Sequence, residues 1–174
     1  MINDRLLAEY DETPERLMRL AYILQKLADL DQASGLTDQA KSGYERCVGI
    51  HKRLLEELGD SPQRLKDLTT TLQGLERLTI ALNKQADSEK AAGSTDQART
   101  GYQSALATWE HLLSDFGDTV VRLRGLAISL ERLADLDLAN GNTSLAREGY
   151  QRSLATREHL LGEFGETADH LRGL

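Results

Sequence analysis

A single cysteine, Cys47, excludes any intrachain disulfide and places no bar on a reducing compartment, so cytoplasm is the expected location. Only two prolines interrupt the chain and aromatic residues make up just 5% of it, a composition that suits long helices better than sheets. Positive charge is in deficit: 21 Lys and Arg stand against 28 Asp and Glu, and the excess of acid is shared by each third of the sequence. That balance disfavours nucleic acid and anionic membranes, which call for a basic surface, and favours basic partners. No apolar run is long enough to cross a bilayer, and the first residues, Met1 to Arg5, show no basic start leading into an apolar core. A Gly-rich phosphate loop, a Gly-x-Ser-x-Gly elbow and zinc-ligand spacing are all missing, so no enzyme activity, cofactor or metal is expected.

What the chain does have is repetition. The stretch Gly141–Leu161, GNTSLAREGYQRSLATREHLL, has close copies at Gly35–Leu55 and Gly93–Leu113, and in each copy a Gly precedes an Ala by five residues and a Tyr by nine. Repeats of this kind bury their apolar faces against their neighbours, which predicts an all-α solenoid of stacked antiparallel helical hairpins. The joints LLEELGDSPQRL, LLSDFGDTVVRL and LLGEFGETADHL divide residues 1–174, read as one repeat domain, into repeats at 11–58, 59–116 and 117–165. Residues 1–10 read as the end of a partial repeat and 166–174 as the start of another. Such open ends fit either a fragment of a longer array or ends that pair with other chains.

Thr13 and Pro14 form a helix start, repeated by Ser61 and Pro62, because proline's missing N–H is not needed in a first turn. Leu17, Leu20, Leu24, Leu27 and Leu30 then lie on one face down to Gly35, which ends the first helix, A. The second helix, B, carries Ala40, Tyr44, Cys47, Val48, Leu55 and Leu58 on one face, with Thr37 expected as its cap and Thr95 and Thr143 in the later copies. From Gly35 to Gly93 is 58 residues, but from Gly93 to Gly141 only 48, so ten extra residues fall within Pro62–Gly93. Leu65, Leu68, Leu72, Leu75, Leu78, Leu82 and Ala86 keep helical spacing throughout, which predicts one over-long A helix; the rival is a break at Thr69–Thr71 or Gly74.

Leu24, Leu27, Ala28, Asp31, Gly35, Ala40 and Tyr44, matched by Leu130, Leu133, Ala134, Asp137, Gly141, Ala146 and Tyr150, resemble the tetratricopeptide repeat (TPR) pattern, and Gly93, Ala98, Tyr102 and Ala105 carry part of it in the middle repeat. The chain departs from that family in placing Asp31, Glu89 and Asp137 where helix A has an aromatic, and in a period of 48 instead of the usual 34. Fourteen extra residues are about four helical turns, which keeps both buried stripes nearly in phase when shared between two helices. The chain looks similar to long-helix variants of the family. The resemblance implies a protein–protein interaction scaffold, set in a larger bacterial multidomain or signalling protein, with a concave groove lined by A helices.

Asp29, Asp87 and Asp135 share one repeat position. The resemblance places it in the groove, whose expected lining is Tyr22, Gln25, Asp29, Ile80, Asn83, Asp87, Ile128, Glu131 and Asp135, with a basic or amphipathic protein segment as the partner. The plainer alternative is that Lys26, Lys84 and Arg132, three residues earlier, pair with those carboxylates along the helix surface. A further column, Arg16, Arg64, Arg122 and His170, sits at helix starts, where positive charge opposes the dipole; Glu9, Glu57, Asp115 and Glu163, seven residues before, are the expected ion-pair partners. Cys47 and His51 have the spacing of a nucleophile and its base on one helical face, but Ala105 and Ser153, Trp109 and Arg157 replace them in the other copies, so a packed thiol is expected. His111 and His159 are equivalents with no second ligand nearby in sequence. The alternative function is structural: self-assembly through the open ends and the over-long helix.

Overall fold

The computed structural model describes residues 13–165. The partial repeats expected at 1–10 and 166–174, and with them Glu9 and His170, lie outside the described residues. Six helices occupy the rest: α1 Pro14–Ala33, α2 Thr37–Leu58, α3 Pro62–Ala91, α4 Thr95–Phe116, α5 Val120–Ala139 and α6 Thr143–Phe164. There is no strand among the described residues, as the composition and periodicity require.

Each A helix ends by one device. At the end of α1, Gly35 has φ of 76°, its N–H donates to Gln32 O, and the N–H of Leu36 donates to Asp31 O over 2.8 Å. This closure satisfies the last carbonyls of the helix and needs a residue that tolerates positive φ. The same pair of bonds closes α3 at Gly93 and α5 at Gly141. It also corrects the expected caps. The closing residue is itself the N-cap of the next helix, so Leu36, Ser94 and Asn142 hold that position and Thr37, Thr95 and Thr143 are the first helical residues. At the A-helix starts the expectation stands: Thr13 is the N-cap of α1, with Pro14 following, and the hydroxyls of Ser61 and Thr119 accept from Arg64 N and Arg122 N at 3.2 Å.

The over-long helix is continuous. α3 has 30 residues against 20 in α1 and in α5, an excess of about 15 Å at 1.5 Å per residue. Its weak helix formers are accommodated: Thr69, Thr70 and Thr71 donate their hydroxyls to the carbonyls of Leu65, Lys66 and Asp67 one turn back. Gly74 faces the Tyr44 ring so closely that a Cβ there would stand 2.6 Å from Cε1. Packing against α2, not a break, accounts for that glycine.

The contacts divide the chain into two compact units that meet within α3, one ending at Leu78 and the other starting at Thr79. In the first, α1, α2 and the leading part of α3 bury Ala21, Leu24 and Cys47, with Leu20 and Ile50 packed against them, and enclose Tyr44, Leu54 and Leu75. In the second, the rest of α3 joins α4, α5 and α6 around Ala86, Ala98, Tyr102 and Leu136 and around Leu123 and Leu160.

Candidate interaction surface

The A and B helices of each hairpin meet at a small-residue crossing. A Cβ at Gly43 would lie 3.0 Å from that of Ala28, and at Gly101 and Gly149 it would lie 2.9 Å from Ala86 and Ala134. This close approach brings the B-helix tyrosine within reach of the A-helix aspartate. Tyr44 Oη donates to Asp29 Oδ1 over 2.6 Å, Tyr102 to Asp87 over 2.6 Å and Tyr150 to Asp135 over 2.7 Å. Burial, and then the adjoining carboxylate, hold the Tyr44 and Tyr102 phenols well above the ordinary tyrosine range. At the exposed Tyr150 the bond it donates to Asp135 is the leading cause of an upward shift. The acidic column therefore has a structural role that its repetition did not reveal. The signal was present: aspartate and tyrosine are fifteen residues apart in all three copies.

Only one carboxylate oxygen is engaged by each tyrosine. Lys26 Nζ lies 4.0 Å from Asp29 Oδ2, and Lys90 Nζ lies 3.9 Å and Arg132 Nη1 4.0 Å from Asp135 Oδ2. Arg132 also brings Nε to 3.0 Å from Asp87 Oδ1. The Asp side chains keep 37%, 42% and 37% of their surface exposed, so the contacts of the lysines are loose and open to water. Helix-surface pairing thus holds for Lys26 and Arg132, while Asp87 draws its cation from α5.

The other expected lining residues divide by unit. In the first unit Tyr22 is 63% exposed with Lys26 over its ring, and Gln25 Oε1 lies 3.4 Å from Thr71 Oγ1. In the second, Ile80 is exposed but Asn83 is turned inward, 8% exposed, its amide donating to Ser129 Oγ over 2.9 Å. Ile128 is half-buried. Glu131 accepts from Arg157 through two nitrogens, at 2.7 and 3.0 Å, and from Ser153 Oγ at 2.8 Å. The Arg157 bonds, chiefly, hold that carboxyl below the usual range against the effect of burial. The second unit therefore brings Asp87 and Asp135 together across α3 and α5, whereas Asn83 is turned inward and the half-exposed Glu131 is engaged by Arg157 and Ser153.

At Arg64 the structure corrects another expectation. Arg64 donates to Gly59 O at 2.9 Å and to Leu58 O at 3.0 Å, and Glu57 pairs instead with Arg53. Arg122 likewise donates to Phe116 O and Gly117 O. The guanidinium bridges the joint to carbonyls at the end of the preceding helix, where the dipole is negative. Cys47 Sγ is buried against Ala21 O, 3.3 Å, and Thr71 Oγ1, 3.4 Å, and burial raises its pKa, so its thiol stays protonated. The same burial lowers the pKa of His51. His159 lies on the surface 2.6 Å from Asp118. No cluster of three or more His, Cys, Asp or Glu able to hold a metal ion occurs among the described residues, and none of their helices is long and apolar enough to cross a membrane.

A scan against protein-family models finds no match, and neither a search of curated proteins nor a search of solved structures returns one. Fold class is therefore stated from the helices themselves: an all-helical chain of adjacent, packed helices with a repeated hairpin.

Proposed function

We propose that the protein is a non-catalytic interaction module of TPR-like solenoid type, whose A-helix surface receives a basic or amphipathic segment of another protein. The observation that carries the reading is the loose cation at the second carboxylate oxygen of Asp29 and of Asp135. Exposed pairs of this kind contribute about 0–1 kcal/mol, so a partner's Lys or Arg can displace them with little loss. Tyr22 and Ile80 add exposed apolar area beside the acids, suited to the apolar face of an amphipathic helix. Fluorescence anisotropy with a Lys-rich amphipathic helical peptide, against the same peptide with Glu in place of Lys, tests this. The Lys peptide should bind and the Glu peptide should not. Replacing Asp29, Asp87 and Asp135 together by Asn, which keeps an acceptor for each tyrosine, should weaken binding about tenfold, roughly 1.4 kcal/mol. Equal binding by the triple variant removes the acidic column from the account.

A further inference from the structure

The second unit contains a hairpin-to-hairpin contact whose two halves recur elsewhere in the chain with their larger apolar side chains exposed. On α5, Leu133 and Leu136 pack against Ala98 and Tyr102 of α4, and Asp137 receives Arg99 Nη2 at 2.7 Å. Repeat alignment carries the α5 set onto Leu27, Leu30 and Asp31 of α1, and the α4 set onto Ala146, Arg147 and Tyr150 of α6. Leu136 is 2% exposed but Leu30 is 64%; Tyr102 is fully buried but Tyr150 is 37% exposed. A cleft of about 400 Å³ between α1 and α2 is edged by Leu27 and Asp31, and one of about 370 Å³ on α6 by Arg147, Tyr150 and Leu154.

We infer that α1 of one copy of this chain docks on α6 of a second copy, reproducing the α5-on-α4 contact with Leu27 and Leu30 over Ala146 and Tyr150 and an Asp31–Arg147 ion pair. Two features favour a second copy as the occupant. The apolar residues match in kind, Leu for Leu and Ala and Tyr for Ala and Tyr, and the charges match in sign, with Asp31 and Arg147 standing where Asp137 and Arg99 pair within the chain. The contact is heterologous, joining unlike patches.

Sedimentation velocity on the 174-residue chain over a wide concentration range tests this. The mass should rise with concentration. Asp31→Arg alone and Arg147→Asp alone each set like charges face to face and should weaken association at least tenfold, with circular dichroism unchanged. Mixing the two variants should restore it, because each copy then offers the charge the other lacks, and so should both changes in one chain. The inference is overturned by a wild-type chain that stays monomeric at every concentration, by single variants that associate like wild type, or by a mixture that fails to recover. None of these results depends on the peptide-binding reading.

Discussion

The Tyr102 hydroxyl on α4 donates to Asp87 Oδ1 on α3 over 2.6 Å, at the level where Gly101 lets the two helices touch through Ala86. The bond faces two demands at once, since a buried phenol needs an acceptor and a half-exposed carboxylate needs a donor. Tyr102→Phe should therefore destabilise the protein by about 1.5–3 kcal/mol, the range for hydrogen bonds to charged groups. Tyr150→Phe should cost under about 1 kcal/mol, because water competes for an exposed pair. Urea denaturation of both variants checks the order; equal losses would mean that burial does not set the strength of the bond.

The same tyrosines set the alkaline limit of stability. The folded-state pKa values of Tyr44 and Tyr102 lie above the unfolded value of about 10. Their contribution is therefore complete below that pH and is lost as pH rises towards the folded values. Thermal melts should show falling stability above about pH 10, and the fall should be shallower in the Tyr44→Phe, Tyr102→Phe double variant.

Two glycines within B helices should respond in opposite directions to one substitution. Gly49→Ala meets nothing within 4 Å and should stabilise α2 by about 0.5–1 kcal/mol through helix propensity. Gly101→Ala drives a methyl group to 2.9 Å from Ala86 Cβ and should destabilise, by about 1–3 kcal/mol, as overpacking does. Calorimetry that found both changes stabilising would show that the crossing relaxes freely.

Histidine titration by NMR separates two environments. His159 is raised, chiefly by its bond to Asp118, and His51 is lowered by burial. The two should titrate on opposite sides of about 6.5. The His159 interaction favours folding below its unfolded pKa and fades as pH rises through the folded one, whereas burial of neutral His51 favours folding above its unfolded pKa and is lost as pH falls. Asp118→Asn should return His159 to the ordinary range and leave His51 in place.

The hairpins were legible because leucine spacing and the turn glycines act locally: the stripe Leu17–Leu24 and the turn at Gly35 require no tertiary information. Continuity of α3 was legible for the same reason, although the packing of Gly74 on Tyr44 was not, since it joins residues thirty apart. The caps slipped by one residue because Ser94 and Thr95, or Asn142 and Thr143, are both good cap types and backbone closure chooses between them. Arg64 was misassigned because sequence displays carboxylates but not the unsatisfied carbonyls at a helix end. Asn83 was read as lining the groove, yet it is turned inward onto Ser129, and the half-exposed Glu131 is held by Arg157 and Ser153; these partners lie far away in sequence.

The location of the proposed binding surface can be measured directly. Addition of a Lys-rich amphipathic peptide to the isotope-labelled chain should shift the NMR resonances of Tyr22, Asp29, Ile80, Asp87 and Asp135 on the A helices, with shifts that shrink as salt screens the carboxylates. Shifts gathered instead on the B helices α2, α4 and α6, or unchanged by salt, would contradict an acidic A-helix surface.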